Sequence, residues 1–184
     1  MDRLRRGRVS LAGARYFVTV CTRQRKAGLN DPMVEEGIRG VLRELHRSGD
    51  LQLHCATVMP DHVHTLFTLG IRFSLGQTQS KFKAATKTLL EKSELAWQDN
   101  FYDHRIRHQR NLESFARYLF LNPYRKGLIP SRSSWPGWVI NREYHPEFLQ
   151  HLEEGNFPPA GWVAQKGSVQ DLIDQDSKQE ESGG

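Results

Sequence analysis

The spacing of apolar residues alternates along the chain between a strand-like and a helix-like period and predicts seven elements. Runs rich in β-branched and aromatic residues predict strands at residues 16–22, 51–59, 62–69 and 101–107. Apolar positions at helical spacing predict helices at residues 32–47, 74–97 and 112–122. Asp31 and Pro32 supply an N-cap and a first-turn proline for the first helix, and Pro123 is expected to end the third.

The order of these elements is strand, helix, strand, strand, helix, strand, followed by one more helix. Only Pro60 and Asp61 separate the second strand from the third, so these two strands must pair antiparallel. This order is that of a ferredoxin-like α+β sandwich. We therefore predict an RRM-like fold with a central antiparallel sheet and an added C-terminal helix.

Composition divides the chain into four segments. Residues 1–10 form a basic arm, and residues 11–140 carry the predicted strands and helices. Residues 141–162 show no regular period and are expected to wrap the body irregularly. Residues 163–184 are rich in Gln, Ser, Asp and Glu and poor in large apolar residues, which predicts an acidic, disordered tail.

Charge is distributed unevenly between these segments. The formal net charge is +5, but five acidic residues and two lysines give residues 163–184 a charge of −3, so the body carries +8. A basic body favours a polyanionic partner such as nucleic acid, although solubility alone would also account for it. The basic residues that could hold a DNA backbone are Arg3, Arg5, Arg6 and Arg8 in the arm, Lys81, Lys83 and Lys87 in the second helix, and Arg105 and Arg107 in the fourth strand.

Two features indicate the cellular compartment. No run of eighteen apolar residues occurs, and the basic start of the chain is not followed by the apolar segment of a secretory signal. Cys21 and Cys55 lack the spacing of a metal or redox motif, so they are expected to be small core residues in a reducing environment. We therefore expect a cytoplasmic protein that does not associate with membranes.

The first candidate for chemistry is the pair His62 and His64. Residues two apart on a strand point to the same face, so both imidazoles would project side by side. Two imidazoles on one face can share a metal ion. A lone His-x-His is nevertheless more often a pair of ordinary strand residues, so the pair needs partners from elsewhere in the chain.

The third helix offers such partners. Tyr118 and Asn122 are four residues apart and therefore share a helical face. Two imidazoles and one amide oxygen would make an open site for a divalent metal, with positions left for a phosphate oxygen. A tyrosine beside that metal could attack the phosphate. Spacing alone does not require the two pairs to meet in space.

Four blocks of the sequence carry a resemblance to a known family. They are YFVTVCTRQRK, VMPDHVHTLFTL, WQDNFYDHRIR and ARYLFLNPYRKGLI, which together span roughly residues 9–140. In this order they resemble the single-tyrosine HUH transposases, and most closely the REP-associated tyrosine transposases of bacteria. The resemblance implies a ferredoxin-like catalytic domain that cuts single-stranded DNA at hairpin ends and leaves a transient 5′-phosphotyrosine and a free 3′-hydroxyl.

The resemblance also implies residue roles and partners. It places His62, His64 and Asn122 as ligands of Mg²⁺ or Mn²⁺, and Tyr118 on the third helix as the nucleophile. The implied partner is single-stranded DNA with hairpins, the implied process is DNA transposition, and the protein could act as a monomer or a homodimer. One departure from the family pattern is Tyr124, which stands where a small apolar residue is usual and adds a rival nucleophile.

Several alternatives stay open at this point. A DNA-hairpin-binding protein with the same fold and little cleavage would show the same blocks. An RNA-binding module of RRM type shares the strand order, but it needs a Lys/Arg-Gly-Phe-type aromatic motif that HVHTLFTL lacks. No residue identifies itself as the general base, for which Asp103 and His104 are candidates.

Overall fold

The computed structural model describes residues 10–165 and 167–181, with the side chains of residues 179–181 left out. The predicted basic arm, including Arg3, Arg5, Arg6 and Arg8, lies outside the described residues. Within them, no helix is long and apolar enough to cross a membrane.

The regular elements follow the predicted order and add three more at the C-terminal end. The strands are β1 (Arg15–Cys21), β2 (Leu51–Met59), β3 (His62–Leu69), β4 (Tyr102–Ile106) and β5 (Trp138–Ile140). The helices are α1 (Pro32–Arg47), α2 (Leu75–Lys92), α3 (Gln109–Arg125), α4 (Ala160–Ala164) and α5 (Val169–Glu181). Short 3₁₀ turns cover Arg23–Arg25 and Glu147–His151.

The five strands form one antiparallel sheet in the order β4-β1-β3-β2-β5. The first four strands have the arrangement of a ferredoxin-like sandwich, which confirms the predicted fold class. The three-residue strand β5 extends the sheet beside β2. It comes from the segment after α3, where the sequence shows no strand period.

Helices cover both faces of the sheet. On one face α1 and α2 bury an apolar cluster with inward residues such as Val18, Val63 and Phe67. On the other face α3 packs on Phe17 and Leu66. Because side chains alternate along each strand, neighbouring residues of β1 or β3 belong to different layers. We call these layers the α1–α2 face and the α3 face.

Helix α3 does not end before Pro123, so that prediction was wrong. The helix continues to Arg125, and the backbone N–H of Lys126 still donates to the Asn122 carbonyl. Proline inside a helix removes one backbone donor and crowds the carbonyl four residues earlier, so other contacts must offset this cost. The buried ring of Tyr124 packs on Phe120 in the same turn, which favours the continued helix.

The prediction of a disordered tail was wrong for residues 169–181. They form α5, whose apolar residues Val169, Leu172 and Ile173 lie on one helical face and pack with α3. Asp176 lies on the same face, fully buried. These apolar residues and the buried Asp176 dock this helix, although its composition is that of a disordered segment.

Helix α2 also ends at Lys92, five residues before its predicted end. Glu94 has a positive φ of 54°, which turns the chain away from the helix axis. Trp97 then folds back onto α2, where its indole N–H donates to Thr86 Oγ1 at 2.8 Å.

Candidate metal and tyrosine site

The sheet register places both histidines on the α3 face. His64 lies between Thr19 of β1 and Thr57 of β2, directly across the ladder on either side. His62 lies one row further along, at the end of β3 next to the Pro60–Asp61 turn. Side chains directly opposite in an antiparallel pair project to the same side. This end of the α3 face is therefore polar. The rest of that face, where Phe17 and Leu66 pack under α3, is apolar.

The two imidazoles converge on one point. Their ring centroids are 4.4 Å apart, and the two Nε2 atoms are 2.9 Å apart. The other ring nitrogen of each histidine has its own partner. His62 Nδ1 lies 2.6 Å from Asp61 Oδ1, and His64 Nδ1 lies 2.8 Å from Thr19 Oγ1. Imidazoles that are held at Nδ1 and share a point at Nε2 have the arrangement of two ligands of one metal ion.

Burial keeps both histidines neutral. Desolvation lowers the pKa of His62, and the adjacent Asp61 carboxylate only partly offsets it. Desolvation lowers the pKa of His64 further, and the positive charges of Arg25 and Lys126 act in the same direction. Metal ions bind the neutral form of imidazole, so at neutral pH neither ring needs to lose a proton before binding.

Helix α3 brings the tyrosine and the asparagine to this point. The ring centroids of His64 and Tyr118 are 5.9 Å apart, and those of Phe17 and Tyr118 are 6.3 Å apart in an edge-to-face arrangement. The side chain of Asn122, almost fully buried, lies close enough to the Tyr118 hydroxyl to lower its pKa. The strand pair and the helix pair therefore meet in space, which the sequence alone could not establish.

The hydroxyl of Tyr118 is protonated at neutral pH. Burial raises its pKa, while the nearby Asn122 amide and the charge of Arg125 act against that rise. A donor that lowers a phenol pKa stabilises the phenolate. Two groups near Tyr118, Asn122 and Arg125, would thus favour its phenolate once the rise in pKa caused by burial is offset.

Tyr124, the rival tyrosine, is held elsewhere. Its hydroxyl donates to the Ser133 carbonyl at 2.8 Å, and its ring packs on Phe120. Burial raises its pKa as well. Its hydroxyl already has a backbone acceptor and belongs to the packing between α3 and the chain that follows it.

The donor set fits a divalent ion with open positions. Within residues 10–165 and 167–181, no three His, Cys, Asp or Glu side chains are grouped to hold a metal. An ion here would therefore need a ligand of another type beside the two imidazoles, and the Asn122 amide oxygen is suited to that role. The hydroxyl of Thr57, across the ladder from His64, is buried and has no hydrogen-bond partner in the described part of the chain. This hydroxyl could hydrogen-bond to a water or phosphate oxygen that a bound ion would hold at the site.

The predicted basic residues of α2 and β4 do not gather at the histidines. Lys81 binds the buried carboxylate of Asp50, and Lys83 donates to the carbonyls of Gln98 and Asp99. Helix α2 lies on the opposite face of the sheet from α3. Lys87 pairs with Glu91, Arg107 donates to Ser177, and Arg105 lies opposite Tyr16 in the ladder. A role for Lys81, Lys83, Lys87, Arg105 and Arg107 in DNA binding stays a prediction.

Four residues near the site were not predicted from the sequence: Thr19, Arg25, Asp61 and Lys126. Asp61 is adjacent to His62 in the chain, and its position before a His-x-His pair was the available signal. Thr19 could have been found from the two-residue period of β1, because it is a polar residue between Phe17 and Cys21 on one face. Arg25 and Lys126 are brought in by tertiary folding alone.

Known proteins resemble the chain over most of its length. The model of the family described as "Transposase IS200 like" matches residues 10–119. A REP-associated tyrosine transposase of Escherichia coli (strain K12) is 24% identical over 138 residues, 74% of this chain and 82% of the relative. A putative REP-associated tyrosine transposase of Haemophilus influenzae is 24% identical over 159 residues, covering 78% and 89%.

A solved structure has the same fold. It is that of a REP-associated tyrosine transposase bound to a REP hairpin, 21% identical to this chain, with a TM-score of 0.65. The match covers 92% of this chain and 93% of the other. The covered part of this chain therefore extends well beyond the 110 residues matched by the family model.

Proposed function

The chain belongs to the family of IS200-like transposases, and from this premise we propose that it cleaves and rejoins single-stranded DNA at hairpins through a 5′-phosphotyrosine. Transposases are DNA-processing enzymes, and the relatives named above are REP-associated tyrosine transposases. The observation that carries the proposal is the position of Tyr118. It is one helical turn from Asn122, and its ring lies 5.9 Å from that of His64, whose Nε2 converges with that of His62 on one point.

His62, His64 and Asn122 would hold the divalent ion, Mg²⁺ or Mn²⁺. When bound, such an ion neutralises phosphate charge and lowers the pKa of a nearby hydroxyl. Asp61 and Thr19 keep the two Nδ1 atoms occupied, so that both Nε2 atoms are presented to the same point. Arg25 and Lys126 add positive charge close enough to lower the histidine pKa values, and the same charge would attract a phosphodiester.

Tyr118 performs the covalent step. Its phenolic oxygen forms a bond to phosphorus and gives up its proton, while the bond between phosphorus and the 3′ oxygen breaks. The 3′ oxygen takes a proton and leaves as a hydroxyl, and the phosphate stays on the 5′ side, joined to tyrosine. Attack of a 3′-hydroxyl on the phosphotyrosine reverses the step and rejoins DNA. The Asn122 amide, which lowers the pKa of Tyr118, would stabilise the phenolate as the proton leaves.

The hairpin substrate is proposed by analogy with the relative of the same fold that is bound to a REP hairpin. The proposal is tested with labelled single-stranded DNA hairpins taken from the genome that encodes the protein, incubated with Mn²⁺ or Mg²⁺. We expect a cleaved 3′ end together with a covalent protein–DNA adduct, both lost in EDTA. Hairpin binding without cleavage or adduct under any metal would favour the alternative, a hairpin-binding protein of this fold. Cleavage in EDTA would contradict the metal requirement.

A further inference from the structure

We propose that Asp61 is a positioning residue for the metal site, which orients His62 through its carboxylate and is itself held by Arg25. This inference rests on the proposed function, because it concerns a ligand of the proposed metal. No part of the DNA chemistry assigns a role to the Asp61 side chain, and it would not contact DNA or the reacting phosphate.

Both carboxylate oxygens of Asp61 have a charged or polar partner. Oδ1 lies 2.6 Å from His62 Nδ1, and Oδ2 lies 2.7 Å from Arg25 Nε. The Asp61 side chain is only 23% exposed, whereas Arg25 is about half exposed. The guanidinium on the outer oxygen therefore fixes the rotation of the carboxylate, and the inner oxygen faces the imidazole.

The backbone around Asp61 is fixed as well. Its carbonyl accepts the backbone N–H of Thr22 at 2.9 Å and the Thr22 hydroxyl at 3.0 Å. The preceding carbonyl, of Pro60, accepts the N–H groups of Gly28 and Leu29. The β2–β3 turn is thus joined to the segment after β1, and the Asp61 side chain starts from an ordered backbone.

The segment that carries Arg25 is conformationally unfavourable. Gln24 and Arg25 have positive φ values of 56° and 58°, in the left-handed region that non-glycine residues rarely occupy. Two consecutive residues of this kind cost free energy and persist only where surrounding contacts hold them. Here Arg25 binds Asp61 and also donates to the Cys21 sulfur at 2.7 Å.

The two histidines are supported unequally. His64 has a neutral hydroxyl at Nδ1, whereas His62 has a carboxylate. A carboxylate at Nδ1 holds the proton on that nitrogen, leaves the lone pair on Nε2 and makes Nε2 a stronger donor to a metal. Asp61 therefore sets how strongly His62 binds the ion, in addition to where its ring points.

The test is the Mn²⁺ affinity of the full chain without DNA, measured by calorimetry or by loss of the free Mn²⁺ EPR signal. We expect Asp61→Asn to weaken Mn²⁺ binding about tenfold or more, as loss of such partners does in other metal sites. Asp61→Glu keeps the carboxylate and should bind more tightly than Asp61→Asn. Asp99→Asn is the matched control, because this substitution removes the same charge from an exposed aspartate that also pairs with an arginine, Arg23.

Arg25→Gln separates positioning from a purely structural role. If Asp61 acts on His62, Arg25→Gln weakens Mn²⁺ binding by less than Asp61→Asn does, because it frees the rotation of the carboxylate but leaves the bond from Asp61 to His62 in place. If Asp61 only anchors the Arg25 segment, both variants weaken Mn²⁺ equally, and the inference is overturned. It is also overturned if Asp61→Asn binds as the wild type does. A wild-type chain that binds no Mn²⁺ would overturn the proposed metal site first and this inference with it.

Discussion

The two faces of the sheet use the same strands for different purposes. On β3, Val63 and Phe67 point to the α1–α2 face and lie in a continuous apolar cluster. His62 and His64 point to the α3 face, where the ring of His64 lies near that of Tyr118. Alternation along one strand therefore separates residues that stabilise the fold from residues that we propose to perform chemistry.

The difference between the faces is one of free energy as well as chemistry. Burying apolar side chains on the α1–α2 face stabilises the fold by roughly 25 cal/mol per Å². The site end of the α3 face instead buries imidazoles, an amide and hydroxyls, each of which costs free energy unless hydrogen-bonded. Most are bonded, but Thr57 Oγ1 has no partner among the described residues. We therefore expect the polar end of the α3 face to contribute less to the stability of the fold than the α1–α2 face does.

The largest expected effect is the loss of the nucleophile. Tyr118→Phe should reduce cleavage and adduct formation by at least about a thousandfold, because the attacking oxygen is gone. Hairpin binding should stay close to wild type. Tyr124→Phe is the matched control on the same helix and should still form the adduct. Mass spectrometry of the adduct checks both, and a DNA-linked peptide containing Tyr124 would contradict the assignment.

Tyr118 was predicted as the nucleophile from the sequence, but what the sequence can predict about the site is limited by what local geometry determines. The four-residue spacing of Tyr118 and Asn122 and the two-residue spacing of the histidines each follow from local geometry. The family resemblance is confirmed, whereas the role of Tyr118 stays a prediction. That the two pairs meet depends on the packing of α3 on β1 and β3, which local spacing does not determine.

The errors lie where tertiary packing overrides local preference. Pro123 should end a helix by its own chemistry, but the buried Tyr124 that follows it keeps the last turn helical. The tail should be disordered by composition, but Ile173 and Asp176 dock α5 on α3. In both places a few buried contacts outweigh a local tendency, which for a proline inside a helix is about 3 kcal/mol.

The second prediction compares one substitution on each face: the first should weaken metal binding, and the second should lower stability. His64→Leu removes a ligand but keeps the side-chain volume, so Mn²⁺ affinity should fall by more than about a hundredfold while the metal-free unfolding free energy changes by less than about 1 kcal/mol. Val63→Ala should do the reverse, with roughly 2 kcal/mol of stability lost and Mn²⁺ affinity kept. Calorimetric titration and urea unfolding measure the two quantities. Equal stability losses in both variants would contradict the division between faces.

The third prediction concerns a second polar cluster on the α3 face, at the start of α3. Asp176 Oδ2 accepts the N–H of Arg107 at 3.1 Å and lies 2.9 Å from His104 Nε2, and Oδ1 accepts from Asn111 at 2.7 Å. Asp176→Ala should cost on the order of 2 kcal/mol in urea unfolding, because it leaves buried donors unpaired. Unlike the histidine pair, this cluster serves stability.

The pH dependence of that loss follows from the pKa of Asp176. Burial alone would raise it, but the hydrogen bonds from Asn111, Arg107 and His104 lower the pKa below its usual value. A carboxyl whose pKa is lower in the folded state stabilises the fold above its unfolded pKa, and the stabilisation is lost as the pH falls through the folded pKa. The gap in stability between wild type and Asp176→Ala should therefore narrow below about pH 4. If the difference in stability between wild type and Asp176→Ala widens at acid pH, the lowered pKa of Asp176 is not its cause.

The smallest expected effect compares one residue type on the two faces. Thr57 lies on the α3 face across from His64, and Thr65 lies on the α1–α2 face across from Ala56. Both are buried, and neither hydroxyl has a hydrogen-bond partner in the described part of the chain. Replacing either by valine removes an unpaired polar group at nearly constant shape, so both variants should be unchanged or more stable by up to about 1 kcal/mol.

Metal binding should distinguish the two threonines. A hydroxyl beside the histidine pair can hydrogen-bond to a water or phosphate oxygen held at the site, and Thr57→Val removes that bond. We expect Thr57→Val to weaken Mn²⁺ binding by about three- to tenfold, which corresponds to one hydrogen bond. Thr65→Val, one residue from His64 but on the other face, should leave the affinity unchanged. If both variants weaken Mn²⁺ equally, the effect travels through the backbone of the sheet, and the orientation of the Thr57 side chain is not its cause.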